Sequence, residues 1–189
     1  MKQRIVFFLV ISLLTFHIAG AQAPSGYTAG YIIGPDQVKT EGFIREKFKS
    51  KAGIEFQTAA GKKTSYAASD LQEVGIAADR YITYKDDFFK QLMSGTRVAV
   101  FQKVSDAAGK VIYNGSQAVG VSAGTDGALA DYFFRKSGEA GLSWVSKKNL
   151  GQTLAAFFAD CSTLAEQVKK NTPAYVTVPE LAAQYNQCP

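Results

Sequence analysis

Histidine is all but missing from this chain. The single one, His17, lies in an apolar stretch read below as a leader, so the mature protein has none. Without an imidazole there is no Ser-His-Asp or Cys-His nucleophile, no histidine-ligated metal and no charge switch near neutral pH. A strong excess of one charge is missing too. The formal net charge is +5 and falls to +3 when Lys2 and Arg4 leave with the leader. That is too little and too scattered for nucleic acid or strong membrane-surface binding.

Long hydrophobic runs are lacking apart from one. Ile5–Ile18 is apolar over 14 residues, broken only by Ser12, Thr15 and His17, and a spanning helix needs about 20. A retained anchor is therefore opposed by length. Lys2 and Arg4 in front and Ala19-Gly20-Ala21 behind make residues 1–21 a signal peptide. Cleavage after Ala21 leaves Gln22 first, since a cut after Ala23 would set Pro24 beside the scissile bond. No cysteine follows the small residues, so a lipid-modified terminus is not indicated. The expectation is export by the Sec route to the periplasm or the medium, with no transmembrane segment after processing, and a single domain over 22–189.

Catalytic motifs are lacking as well. Gly61-Lys62-Lys63-Thr64 ends like a phosphate loop, but Phe56 stands where that motif needs Gly and Lys63 where it needs Ser or Thr. It reads as a charged hairpin tip. Asp86-Asp87 invites an acid–base reading, yet neighbours on a strand point to opposite faces and on a helix lie about 100° apart. A turn or a helix start suits the pair better. Gly124-Thr125-Asp126-Gly127 is a flexible loop without the acidic spacing of a calcium site. No catalytic, cofactor-binding or metal-ligating residue is assigned, and no cofactor is implied.

What the chain does have is alternation and turn chemistry. Tyr27–Ile33, Gly42–Phe48, Gly53–Gln57, Thr64–Tyr66, Arg80–Tyr84, Arg97–Val104, Val111–Tyr113, Gln117–Val121, Asp131–Lys136 and Leu142–Val145 all suit strands. Ser69–Val74 allows one helical turn. On Arg97–Val104, Val98 and Val100 face one way and Arg97, Phe101 and Lys103 the other. Asn114-Gly115 is the best hairpin dipeptide, suited to a type I′ turn. Leu150, Leu154, Phe157, Phe158 and Cys161 then recur at helical spacing, which predicts a helix over Leu150–Cys161 laid across the sheet. Asp160 and Thr163 compete to cap a second helix, with Thr163–Glu166 fitting a capping box, and Pro173 prevents its continuation. Thr177–Glu180 is another capping box, opening a last helix with Val178, Leu181, Ala182 and Tyr185 inward. The fold class is α+β: a mainly antiparallel, strand-rich body over 27–146, as a sheet, small barrel or sandwich, closed by two to three C-terminal helices over 148–187.

These residues resemble a family of small uncharacterised secreted proteins from Bacteroidota-type bacteria. The resemblance rests on Gly30-Tyr31-Ile32-Ile33, Gly42-Phe43-Ile44, Gly53-Ile54-Glu55-Phe56, Gly61–Tyr66, Ser69-Asp70-Leu71 and Phe158-Ala159-Asp160-Cys161 leading to Leu164. It covers most of the mature chain, with one departure at Ser162, where the family carries Pro. The resemblance implies an envelope-directed, β-rich domain with C-terminal helices, and no activity.

Cys161 and Cys188 are the remaining chemical feature. A helix start lowers a thiol's pKa, which permits a reactive Cys161, but no histidine is there to serve as base. Export and an even count favour a structural disulfide between the two; a buried Cys161 beside a frayed tail is the other reading. Three functions follow. One is a non-enzymatic envelope module binding a protein or surface glycan through its sheet or loops. Another is a hydrolase working with Asp and Glu alone. The third is an envelope stress or assembly factor that binds unfolded chains. Tyr27, Tyr31, Phe43, Tyr81, Tyr84, Phe133 and Phe134 would line a binding face or pack the two sides of a sheet.

Overall fold

Period-two alternation makes each strand amphipathic, and a computed structural model describing residues 22–189 shows how those faces are buried. The leader expected over residues 1–21, with His17, lies outside the described residues. The strands are β1 (Thr28–Ile33), β2 (Lys39–Lys47), β3 (Gly53–Gln57), β4 (Lys63–Ala67), β5 (Glu73–Ile76), β6 (Asp79–Tyr84), β7 (Asp87–Met93), β8 (Val98–Lys103), β9 (Val111–Asn114), β10 (Gln117–Val121), β11 (Tyr132–Lys136) and β12 (Ser143–Trp144). Ten of them form one antiparallel sheet in the order β12-β11-β8-β7-β6-β5-β1-β2-β3-β4, while β9 and β10 pair only with each other. The one-turn helix α1 (Phe48–Lys51) links β2 to β3, and a 3₁₀ turn covers Ala68–Asp70 in place of the helical turn allowed over Ser69–Val74.

One face of the sheet carries Ile32, Ile44, Ile54, Phe56, Val74, Tyr81 and Phe88, closed over by Phe48, Ala68 and Leu71. The same face continues onto Val98, Val100 and Phe134, where three helices cover it: α2 (Leu150–Phe157), α3 (Ser162–Lys170) and α4 (Val178–Tyr185). The opposite face is covered as well around Ile82, Phe89, Phe101 and Phe133, with Leu142 packed on them. A strand buried on both sides explains why both parities of β8 are apolar or enclosed.

The helix predicted over Leu150–Cys161 is shorter than its stripe. It ends at Phe157, Phe158 forms the C-cap, and Cys161 is the N-cap of α3. Leu150, Leu154, Phe158 and Cys161 are buried as expected, but Phe157 is only half-buried, its ring 4.6 Å from that of Phe134. Neither candidate cap acts as one. Asp160 turns its carboxylate to Tyr185 and Arg97, which as charge and phenol donors outcompete a backbone amide. Thr177 does stand at the N-cap of α4, but its hydroxyl donates to the Ala174 carbonyl. The Asn114-Gly115 turn is displaced by one residue: Asn114 pairs with Gln117, leaving Gly115-Ser116 at the tip. Only Gly115 takes a positive φ, of 64°, the pattern of a type II′ turn with Gly first. Among the described residues no helix is long and apolar enough to cross a membrane.

Candidate binding site

The Asp86-Asp87 pair sits at a turn, as its chemistry suggests, and organises everything beyond it. Asp87 opens β7 and is fully buried. Its Oδ1 accepts from Ser105 Oγ at 3.0 Å and the Ala107 N–H at 2.8 Å; its Oδ2 accepts from the Thr125 N–H at 2.8 Å and Thr125 Oγ1 at 2.7 Å. The Lys103 ammonium lies 3.4 Å from Oδ2 and donates to the carbonyls of Thr125 at 2.8 Å and Gly127 at 3.1 Å. Buried charges persist only when paired and hydrogen-bonded, and this pair is both. It is a clamp: β7 and β8 hold the loops on either side of β9–β10. Asp86 adds to it, accepting from Ser122 Oγ at 2.6 Å. The two carboxylates thus address one loop system and do not converge on a shared substrate position.

On this base stands the β9–β10 ribbon, which pairs with no strand of the ten-stranded sheet. Backbone bonds close its foot, Gly109 N–H to Ser122 O at 2.9 Å and Ser122 N–H to Lys110 O at 2.8 Å. Beyond them every residue of both strands is exposed. Val111, Ile112, Tyr113, Val119 and Val121 are among the exposed large hydrophobics, Tyr113 at 64% and Val121 at 63%. Both strands and their hairpin are legible in the sequence, but this isolation is not. The available signal was that Val111-Ile112-Tyr113 lacks the polar alternation of a half-buried strand.

The aromatics named from sequence are distributed otherwise. Tyr27, Tyr81, Phe133 and Phe134 are buried and Tyr31, Phe43 and Tyr84 half-buried. Tyr31 lies across Gly75, where a Cβ would overlap its ring, and donates to Glu73 at 2.6 Å. These side chains pack the sheet and form no contiguous aromatic patch.

Several carboxylates are held as anions. A hydrogen bond from Lys47, then one from Tyr27, brings Glu55 down to about 2. Bonds from Tyr185 and Arg97 do the same for Asp160, to about 2. The Arg80 guanidinium lowers Glu73. Burial alone would raise Asp131, but Lys147 at 2.5 Å and the Ala128 N–H outweigh it and keep it low. A glycosidase acid needs the opposite displacement, a carboxyl kept protonated near neutrality. Among the described residues no three His, Cys, Asp or Glu side chains gather to hold a metal ion.

Cys161 and Cys188 are joined as a disulfide, their Cα atoms 6.0 Å apart, with Cys188 next to Arg97 before the start of β8, whereas the base of the ribbon lies at Lys103, at the end of that strand. Cys161 is buried among the helices, as the reading of a structural bond requires. No protein-family model matches the chain, and no curated protein or solved structure does either.

Proposed function

We propose that this chain is an exported, non-enzymatic module of the cell envelope that binds a protein partner through the β9–β10 ribbon. The observation carrying this reading is the ribbon itself: two short apolar strands, exposed along their whole length, on a base fixed by the buried Asp87–Lys103 pair. Exposed valine, isoleucine and tyrosine side chains gain about 25 cal/mol per Å² of apolar surface when a partner covers them. A two-strand ribbon also has outer edges with unpaired amides and carbonyls, which accept an added strand. A protein fits this surface better than a glycan, because Tyr113 is the only aromatic on it. The signal peptide expected over residues 1–21 and the Cys161–Cys188 disulfide support the exported part of the reading.

The test compares wild type with a variant carrying Tyr113→Ser, Val119→Ser and Val121→Ser, with the mature proteins used as bait in envelope extracts. These side chains are exposed, so the thermal midpoint is expected to stay put while one discrete cross-linked partner disappears. Equal capture by both baits rejects the ribbon as the contact. The assembly-factor alternative predicts instead that wild type suppresses aggregation of a permanently unfolded, reduced and alkylated model protein.

A further inference from the structure

A cavity of about 130 Å³ lies at the foot of the ribbon, between it and the Ala68–Asp70 turn. Its walls are largely small and apolar, with Ala67, Ala68 and Ala107 among them. Three charged residues also line it, Lys51, Lys110 and Asp86. Asp86 is engaged by Ser122. Lys110 is not engaged: its Nζ is buried and, among the described residues, meets no hydrogen-bond partner. An unpaired ammonium out of water is costly, and an anion placed beside it removes that cost. Lys51 adds positive potential to the same cavity.

We infer that this cavity binds a carboxylate, and that the carboxylate is the C-terminus of an extended apolar segment. A monoanion suits it better than a phosphate dianion, because the Asp86 charge in the wall opposes a second negative charge. Small alanine walls suit a short aliphatic group next to the carboxylate. Val111 and Ile112 line the cavity and are also the first two residues of β9. A segment added along β9 therefore runs into the cavity with its end. This deepens the ribbon reading and rests on it for the chain-terminus source; the carboxylate site itself stands on Lys110.

N-acetyl-alanyl-alanine as the free acid, its C-terminal amide, and acetate are titrated into the mature protein, following the methyl signals of Ala67, Ala68 and Ala107 by NMR. The free acid is expected to shift these methyls saturably, with the amide about tenfold weaker or silent. Lys110→Gln and Lys110→Met are each expected to abolish the difference between acid and amide. Neither should lower the thermal midpoint, since the ammonium they remove holds nothing, and a folded spectrum of either one suffices for the comparison. Acetate matching the dipeptide in midpoint overturns the chain-terminus source and leaves a site for free carboxylates. Equal responses to acid and amide, no response to any of the three, or an unchanged response in both Lys110 variants overturns the site. The ribbon variant used above should still bind the dipeptide. Loss of partner capture with dipeptide binding intact therefore separates the two readings.

Discussion

Asp87 and Lys103 are the residues on which the ribbon depends, and both side chains are fully buried. Removing one partner of a buried pair strands the other, so Asp87→Asn or Lys103→Met should each cost about 3–5 kcal/mol in chemical denaturation. The loss should show first as faster amide exchange in residues 105–125, because Ser105, Ala107 and Thr125 all bond to Asp87. A loss near zero for both would mean the pair is not what fixes these loops. Asp160 makes a weaker, pH-dependent contribution. Its carboxyl is lowered from 3.8 to about 2 by Tyr185 and then Arg97. A lowered folded-state pKa stabilises above the unfolded value and is lost as pH falls through the folded one. Stability should therefore decline between about pH 4 and pH 2, and Asp160→Asn should flatten the profile in that window. With its side chain 53% exposed, Asp160 is screened by salt, so the effect is best read at low ionic strength.

The helices show what a sequence pattern reports and what it omits. Leu154 is fully buried against the sheet while Phe157 is only half-buried. Leu154→Ala should accordingly cost about 2–5 kcal/mol, with Phe157→Ala clearly milder despite its larger side chain. Equal losses would place Phe157 in the core after all. The stripe from Leu150 to Cys161 was legible because burial follows spacing, and it stayed valid across a break in the backbone: Phe158 and Cys161 face inward from a turn. The break itself was not legible, since Asp160 is drawn away by Tyr185 and by Arg97, a residue far off in sequence that lies just before β8. Most strands were readable from alternation and turn residues. The burial of Lys103 was not, because alternation assigns it to the face of Phe101 without saying that this face is covered. The cavity at Lys110 was hidden for the same reason: it joins segments from β4, the β6–β7 turn and the foot of β9, which no local pattern connects.

Across the fold as a whole, residues 186–189 return to the start of β8. Asn186 Oδ1 accepts from the Arg97 and Val98 N–H groups, both at 2.9 Å, and its Nδ2 donates to the Val98 carbonyl at 3.0 Å. Gly95 is required for this approach, since a Cβ there would lie 2.0 Å from Asn186 Nδ2. Arg97 reaches on to the main-chain oxygens of Cys188 at 2.9 Å and Pro189 at 3.0 Å. The Cys161–Cys188 bond, across a separation of 27 residues, therefore fastens a tail that is already docked. Its main effect is to restrict the unfolded chain, which for a loop of this length is worth about 3–4 kcal/mol. Reduction, or the Cys161→Ser and Cys188→Ser pair, should lower the thermal midpoint by roughly 6–16 °C for a chain of this size. The fold should persist, because Asn186 and the buried Tyr185 still hold α4 against β8. Adding Asn186→Ala to the reduced form should then release the tail, seen as protease cleavage after Lys169 or Lys170. Non-reducing peptide mapping of exported protein should give one cross-linked peptide. Two freely alkylated thiols there, or a midpoint indifferent to reductant, would show that docking alone closes the chain.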